Sequence, residues 1–455
     1  MSRAAALFSL PVRALDRSRR SRVRCGCLPF GAIRGLVLGL VRFANLLLAV
    51  RAASRALPLT SFSLGIGLVV TVVFAAGALL VSALGLWAAV VFLGRLRLPM
   101  IHRSGSVTLV LPLTGPALGL DSLLQALEGQ SLVPRRLIVG VESVQDPAYR
   151  RAADLAHTRR FPIEVVVADQ ATQCAQKCSN LIAALRRVDA QDEAVVLLDA
   201  DILPPRWWLS ALVTPLLDGS ADVVNGYRWP VIAAPTVAAH LAAGIDRAIA
   251  LLPRLGSLRL TWGGSLGLSP RSLRALEPHR ILAATLSDDC AIGECAAARG
   301  LRVLTRRALL VPTPVRGGLA SVWGFGRRQY QIIRIYRPAL WGLALGALST
   351  RLLAWGLLVA HLEQVAARLA LGALIAIAVA GFVVQSLVAR RLGMADGPGT
   401  GLGQGLLAVL KPVVDLFHWS LVVAALAAGT VRWGHVTYGV SGPYSVTVRS
   451  RVPWA

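Results

Sequence analysis

The hydrophobic pattern divides the chain into long apolar runs at its two ends and a middle stretch where short apolar runs alternate with polar segments. From Leu64 to Leu93 no charged residue occurs. A membrane span needs about 20 apolar residues, so residues 62–95 are expected to form a transmembrane helix. Apolar runs return at about 339–361, 365–388 and 404–430, giving a C-terminal membrane region over 339–430. The second of these is the cleanest, and the first carries Arg351. The third carries Lys411, Pro412, Asp415 and His418. It is a poor simple span, expected to be re-entrant or to lie along the interface with its polar groups turned to protein. Between them, VTLVLPL at 107–113, RLIVGVE at 136–142, IEVVVAD at 163–169 and AVVLLDAD at 194–201 read as strands. Their continuous β-branched and leucine character suits parallel strands buried on both faces. The segments 119–129 and 176–190 read as helices between them. This alternation predicts a doubly wound α/β domain over 104–316, and such sheets bind ligands beyond the carboxyl ends of their strands.

Composition supports this division. Of 455 residues, 55% are hydrophobic and only 16% charged, against about 25% charged in soluble domains. The net charge of +25 comes almost wholly from arginine, since Lys177 and Lys411 are the only lysines. One dense run, at Arg17, Arg19, Arg20, Arg22 and Arg24, is joined by no nucleic-acid motif and no aromatic-basic interleaving, so no nucleic-acid partner is expected. Arginine held at cytoplasmic loops near anionic headgroups, together with a codon bias, accounts for the excess. Arg95, Arg97 and Arg103 follow the first span at once, so the α/β domain is expected on the cytoplasmic side. Residues 1–60 form a basic N-terminal region with Asp16 as its only acid. Its composition resembles a targeting peptide, but Arg34 and Arg42 interrupt the apolar stretch. Residues 30–50 are read as an amphipathic interfacial helix or a weak span, and 1–28 as disordered. The six cysteines fit no zinc pattern and are expected to be free thiols.

Four motifs carry chemistry. Asp199-Ala200-Asp201 ends the fourth predicted strand, before Pro204 and Pro205. In an extended segment, carboxylates two apart share a face. At a sheet mouth they make a hard oxygen site for Mg2+ or Mn2+ on a diphosphate, or else a solvated turn. Ser287-Asp288-Asp289-Cys290 precedes an apparent helix at 290–300 and offers either a general base or a helix cap. Trp262-Gly263-Gly264-Ser265 lets backbone approach a ligand, here marking an acceptor region, or simply makes a tight turn. Gly326-Arg327-Arg328-Gln329-Tyr330, with Arg334 and Arg337, falls in an arginine-rich helix over 317–338. Arginines three and four apart share a helix face, suited to donor phosphates, lipid headgroups or simple anchoring.

In this order the pieces resemble the ceramide-glucosyltransferase branch of the processive-type family 2/21 glycosyltransferases, close to bacterial relatives linked to glycolipid and hopanoid synthesis. The resemblance covers roughly residues 105–340. It implies a GT-A fold flanked by N- and C-terminal membrane helices, a UDP-sugar donor (UDP-glucose first), and a membrane lipid acceptor. It also implies inverting transfer with Mg2+ or Mn2+. By the same resemblance Glu142 and Asp146, in a stretch ending Asp146-Pro147-Ala148, contact the nucleotide. Pro112 and Thr114 at the end of the first strand, and Lys177 with Asn180 in a K-x-x-N-L element, also lie near the donor. Asp199 and Asp201 match the metal motif. Asp289 matches the base, with Asp288 beside it, because Ala298-Arg299-Gly300 follows. Gln329-Tyr330 stands where Arg-Trp is expected, with Gly326 where Gln or Arg is expected. That departure leaves Arg327 or Arg328 to supply charge and Tyr330 to stack. The tail, 431–455, carries Trp433-Gly434-His435-Val436-Thr437-Tyr438, which resembles the family's cytoplasmic W-x-G-x-x-Y tail. The alternatives are a processive polysaccharide synthase and a non-catalytic membrane protein with a degenerate transferase domain.

Overall fold

The structure, a computed structural model, describes residues 61–98, 105–253, 260–394, 396–427 and 429–454. The basic region 1–60 and its expected amphipathic helix lie outside the described residues.

The α/β part is built on seven strands: β1 Val107–Pro112, β2 Arg136–Val141, β3 Ile163–Val167, β4 Ala194–Leu198, β5 Val223–Val231, β6 Ser265–Leu268 and β7 Val303–Pro314. Their order is β3-β2-β1-β4-β6-β5-β7. β1 to β4 pair in parallel, β6 runs antiparallel between β4 and β5, and β5 pairs in parallel with β7. The result is the mostly parallel α/β sheet that the alternation predicts. Residues of β1, β2 and β4 alternate between two cores, Leu109, Val139 and Val196 on one face, Val110, Ile138 and Val195 on the other. Each face is closed by helices, which is why these strands read as unbroken apolar runs. The antiparallel β6 and its neighbours β5 and β7 lack so clean a sequence signal.

One difference from expectation concerns the fourth strand. The reading of 194–201 as extended carries the strand through both aspartates, but β4 ends at Leu198 and Asp199-Ala200-Asp201 opens a turn. The ladder gives the reason: its last pairing with β6 is Leu198 to Ser265, after which no partner strand holds the chain extended.

Beyond the sheet, helix 319–336 leads into helices 338–360 and 365–391, followed by helices 400–409 and 411–424. Among the described residues, three helices are long and apolar enough to cross a membrane: 67–94, 338–360 and 365–391. The pair 400–409 and 411–424 is bent by 84° at its break. The charges that make this stretch a poor span are satisfied inside the protein. Asp415 is fully buried, pairs with Lys411 and Arg351, and accepts from Trp355 Nε1 at 3.1 Å. Ionic groups at such depth persist only when paired. The chain then forms a three-stranded antiparallel sheet, β8 Thr430–Trp433, β9 Val436–Gly442 and β10 Ser445–Arg451. It buries Val431, Val436, Tyr438 and Val446 against one face of the α/β core. Tyr438 Oη accepts from the Gln176 amide at 3.0 Å, fastening this tail to helix 176–185. Cys174, Cys178, Cys290 and Cys295 are free thiols, as expected for the described cysteines.

Candidate active site

A cavity of about 470 Å³ opens where β1 and β4 end, lined by Pro112 and Thr114 from the first and by Asp199, Ala200 and Asp201 from the second. This is the crevice that a sheet of this type leaves at the reversal of its strand order. Helix 176–185 brings Lys177 and Asn180 to its floor, and the start of helix 288–298 brings Asp288 and Asp289. Residues far apart in sequence thus meet. Lys177 Nζ bridges Asp199 Oδ1 at 2.8 Å and Asp288 Oδ1 at 3.1 Å. Burial works against the lysine charge, but Asp199, Asp288 and Asp289 outweigh it and hold the ammonium well above its ordinary range.

The two adjacent acids differ. Asp288 is 1% exposed, and its Oδ2 is buried without a hydrogen-bond partner. Burial, aided by Asp289 and Asp199 and opposed by Lys177, pushes its carboxyl up to about 6. Asp289 is half-buried and faces the cavity. Its Oδ2 accepts the Gly263 amide at 3.1 Å; its Oδ1 accepts the Cys290 amide at 2.7 Å and the Ser287 hydroxyl. Thr261 Oγ1 donates to the Asp289 carbonyl at 2.6 Å. The paired glycines follow from this crowding. A Cβ on Gly263 would stand 2.6 Å from Asp288 Oδ2 and 3.0 Å from Lys177 Nζ, and one on Gly264 would strike the Trp262 ring. Trp262 lines the cavity, while Ser265 lies in the core and accepts from Trp208 Nε1 at 2.8 Å.

Asp201 is open to the cavity. The enclosing walls, and then the Asp199 charge, raise its carboxyl above the usual range, with Arg228 opposing. Among the described residues no three His, Cys, Asp or Glu side chains cluster to hold a metal. Asp199 and Asp201 nevertheless offer two hard oxygen ligands at one cavity, which fits Mg2+ or Mn2+, ions commonly held by one or two carboxylates plus substrate phosphates.

Of the arginine-rich helix 319–336, Arg328 points into the cavity, its guanidinium 5.1 Å from the Phe325 ring centre and 5.1 Å from that of Trp433. Its Nε is buried without a hydrogen-bond partner, and burial together with Arg228 lowers it to about 10. Arg327 instead turns away from the cavity, over Trp323, and donates to the Ala424 carbonyl at 3.3 Å. Gln329 lines the cavity, as does Tyr330, whose hydroxyl bonds to His418. The structure leaves Glu142 and Asp146 outside the cavity. Glu142 is 4% exposed; Oε1 accepts from Arg451, and Oε2 lies 2.8 Å from His435 Nε2. Asp146 caps helix 147–156, its Oδ1 accepting from Ala148 at 2.9 Å and Gly115 at 2.8 Å.

Several cavity residues escape sequence reasoning. Arg228 of β5 pairs with Asp246 and lies 4.2 Å over Phe325, and Tyr227 Oη donates to Asp246 at 3.2 Å. Asn225 Oδ1 accepts the Trp262 amide at 3.2 Å. The available signal was the polar interruption Asn225-Gly226-Tyr227-Arg228 within an otherwise apolar strand. The far wall is apolar: Ala242, Ile245 and Ile249 of helix 237–250, Val322 of helix 319–336, Phe417 and Leu421 of helix 411–424.

Residues 70–443 match the description of glycosyl transferase family 21. No curated protein matches the chain. Among solved structures, it is similar to the mannosyltransferase PcManGT from Pyrobaculum calidifontis, solved with GDP-Man and Mn2+. The identity is 16%, over 79% of this chain and 97% of that one, with a TM-score of 0.46. It is also similar to glucosyl-3-phosphoglycerate synthase of Mycobacterium tuberculosis, at 16% identity over 49% of this chain and 77% of that one, with a TM-score of 0.32. The family match takes in most of the first apolar helix, the whole α/β sheet, the later apolar helices and the start of the tail, so the chain belongs to glycosyl transferase family 21 and is a glycosyltransferase.

Proposed function

We propose that this glycosyltransferase moves a hexose, glucose in the first instance, from a UDP-sugar onto the hydroxyl of a membrane lipid by inverting displacement at the cytoplasmic face of a bacterial inner membrane. The observation that carries this reading is the make-up of one cavity. Charged groups suited to a diphosphate and a reachable carboxylate stand on one side, and apolar side chains from helices next to the membrane segments stand on the other.

The chain's own residues divide the work. Asp289 is the base that takes the acceptor's proton as its oxygen attacks the anomeric carbon. It faces the cavity, and three hydrogen bonds from Gly263, Cys290 and Ser287 fix its orientation. The raised carboxyl of Asp288 would ordinarily mark the base, but Asp288 is buried and engaged by Lys177. Access decides for Asp289, and Asp288 serves to position Lys177. Lys177 and Arg328 offset the negative charge that grows on the departing diphosphate; the free Nε of Arg328 suits an anionic ligand. Asp199 and Asp201 would hold the divalent cation, which when bound neutralises charge on the leaving group. The wall of Ile245, Ile249, Val322, Phe417 and Leu421 suits the acyl or polycyclic part of a lipid whose hydroxyl reaches Asp289.

The test is incubation of the full-length protein in lipid nanodiscs with Mn2+, a panel of UDP- and GDP-sugars and a total bacterial lipid extract, read by mass spectrometry. A hexosylated lipid formed from a UDP-sugar is expected. Transfer to water or to a growing soluble glycan, with no lipid product, would overturn the acceptor assignment.

A further inference from the structure

The C-terminal sheet borders the same cavity, with Trp433 of β8 in its lining. Beyond Arg451, which pairs with Val436, the ladder runs on, and the Val452 amide donates to the His435 carbonyl at 2.9 Å. This brings the Trp454 ring to 3.6 Å, centre to centre, from the His435 imidazole. The same indole covers Gly115: a Cβ there would stand 3.1 Å from Trp454 Cζ3. Gly115 has φ +74 and directly follows Thr114, which lines the cavity.

Arg451, three residues earlier, ties down the ends of three neighbouring strands. Its guanidinium binds Glu142 after β2, the Ala171 carbonyl beyond β3 at 2.7 Å, and Gln176 Oε1 at 2.9 Å. Gln176 donates to Asn180 at 2.9 Å, and Asn180 donates to the Leu113 carbonyl after β1 at 2.7 Å. The two acids at the end of β2 are spent on this assembly and on the helix cap.

The direction of a bound donor follows from the cavity and rests on the donor reading above. The diphosphate belongs at Asp199, Asp201 and Arg328, with the sugar toward Asp289 and the apolar wall. The nucleoside must then extend the other way, over the end of β1 toward Thr114 and Gly115. We infer that the tail completes the nucleoside end of the donor site. The Trp454 indole, steadied by His435, is the surface against which the nucleobase lies. Arg451 is a positioning residue that holds the strand ends beneath it. An aromatic face suits this task because any base offers a π-face to it.

The experiment is calorimetric titration of full-length protein in nanodiscs, with Mn2+, by UDP and separately by inorganic pyrophosphate. Stacking on one aromatic side chain is worth enough that Trp454→Ala should weaken UDP about tenfold. Pyrophosphate, which has no base, should bind as in the wild type, and Trp454→Phe should recover most of the UDP affinity. Unchanged UDP affinity in Trp454→Ala, with the wild type binding UDP, overturns the tail assignment alone. Equal losses for UDP and pyrophosphate also overturn it, since the tail would then act on the fold at large. Wild-type protein that binds pyrophosphate but no nucleoside diphosphate overturns the donor reading along with it.

Discussion

Two regions of one sheet, the ends of β2 and of β4 on either side of β1, each present two acids a few residues apart, and the two pairs have opposite fates. Glu142 and Asp146 are almost wholly buried, one bound to Arg451 of the tail, the other capping a helix. Asp199 and Asp201 sit in the turn after β4 and line the cavity. In sequence the pairs look alike, short acids after an apolar run. The difference is made by what is brought to them from far away: a tail arginine from 309 residues downstream fills the first, while a single lysine bridges only one member of the second. A strand-end carboxylate is thus available for chemistry only where the rest of the fold leaves its oxygens unclaimed.

Substitutions can break that comparison. The largest effect is expected at Asp289, where Asn should lower kcat by about 1000-fold, within the range for a general base, while UDP affinity in calorimetry holds. A variant that turns over like wild type would refute the base assignment. Next, Asp201→Asn should cost about 100-fold in rate, as for loss of one charge-stabilising group, and should raise the Mn2+ concentration needed for half-maximal turnover. The corresponding change at the other pair, Glu142→Gln, should act through stability. Loss of the Arg451 pair should cost about 2 kcal/mol, less than for a fully buried pair because Arg451 keeps some water. The thermal midpoint should fall while the Mn2+ dependence stays put. A shifted Mn2+ requirement in Glu142→Gln would erase the distinction between the pairs.

Smaller effects sharpen it. The Asp288 carboxyl lies above its ordinary value, so it gains a proton as pH falls through about 6. Lys177 then loses one of its two anions and is left to Asp199. Activity should therefore fall on the acid side near pH 6, and Asp288→Asn should flatten that limb of the kcat/KM profile. An unaltered limb in the variant would assign it elsewhere. The smallest change is expected for Tyr330→Phe. It removes one hydrogen bond to His418, worth about 1 kcal/mol, and should shift the lipid KM a few-fold with kcat unmoved.

Much of this was legible in the sequence. The strands β1 to β4 announced themselves because burial on both faces demands unbroken apolar runs, and the three long apolar helices because a hydrocarbon core tolerates little else. The D-x-D stretch, Lys177, Asn180, Asp288, Asp289 and Arg328 were all named, and they line one cavity. Arg228 and Asp246 were not, since a paired charge on a strand and a helix carries no local pattern. Nor was the role of the tail, whose contacts at Glu142, Ala171 and Gln176 span 275 residues and more.

Local chemistry, periodicity and length by themselves determined the elements: which runs suit lipid, which suit a two-sided sheet, and which residues are chemically able to hold a diphosphate or take a proton. Tertiary structure alone decided which of those able residues are free to act. It buried Asp288 against Lys177 and left Asp289 half-buried at the same cavity, turned Arg328 inward and Arg327 away, and closed the end of β2 with Arg451. The physical reason is that a side chain's reactivity depends on its desolvation and its partners, and both are set by segments that sequence distance keeps apart.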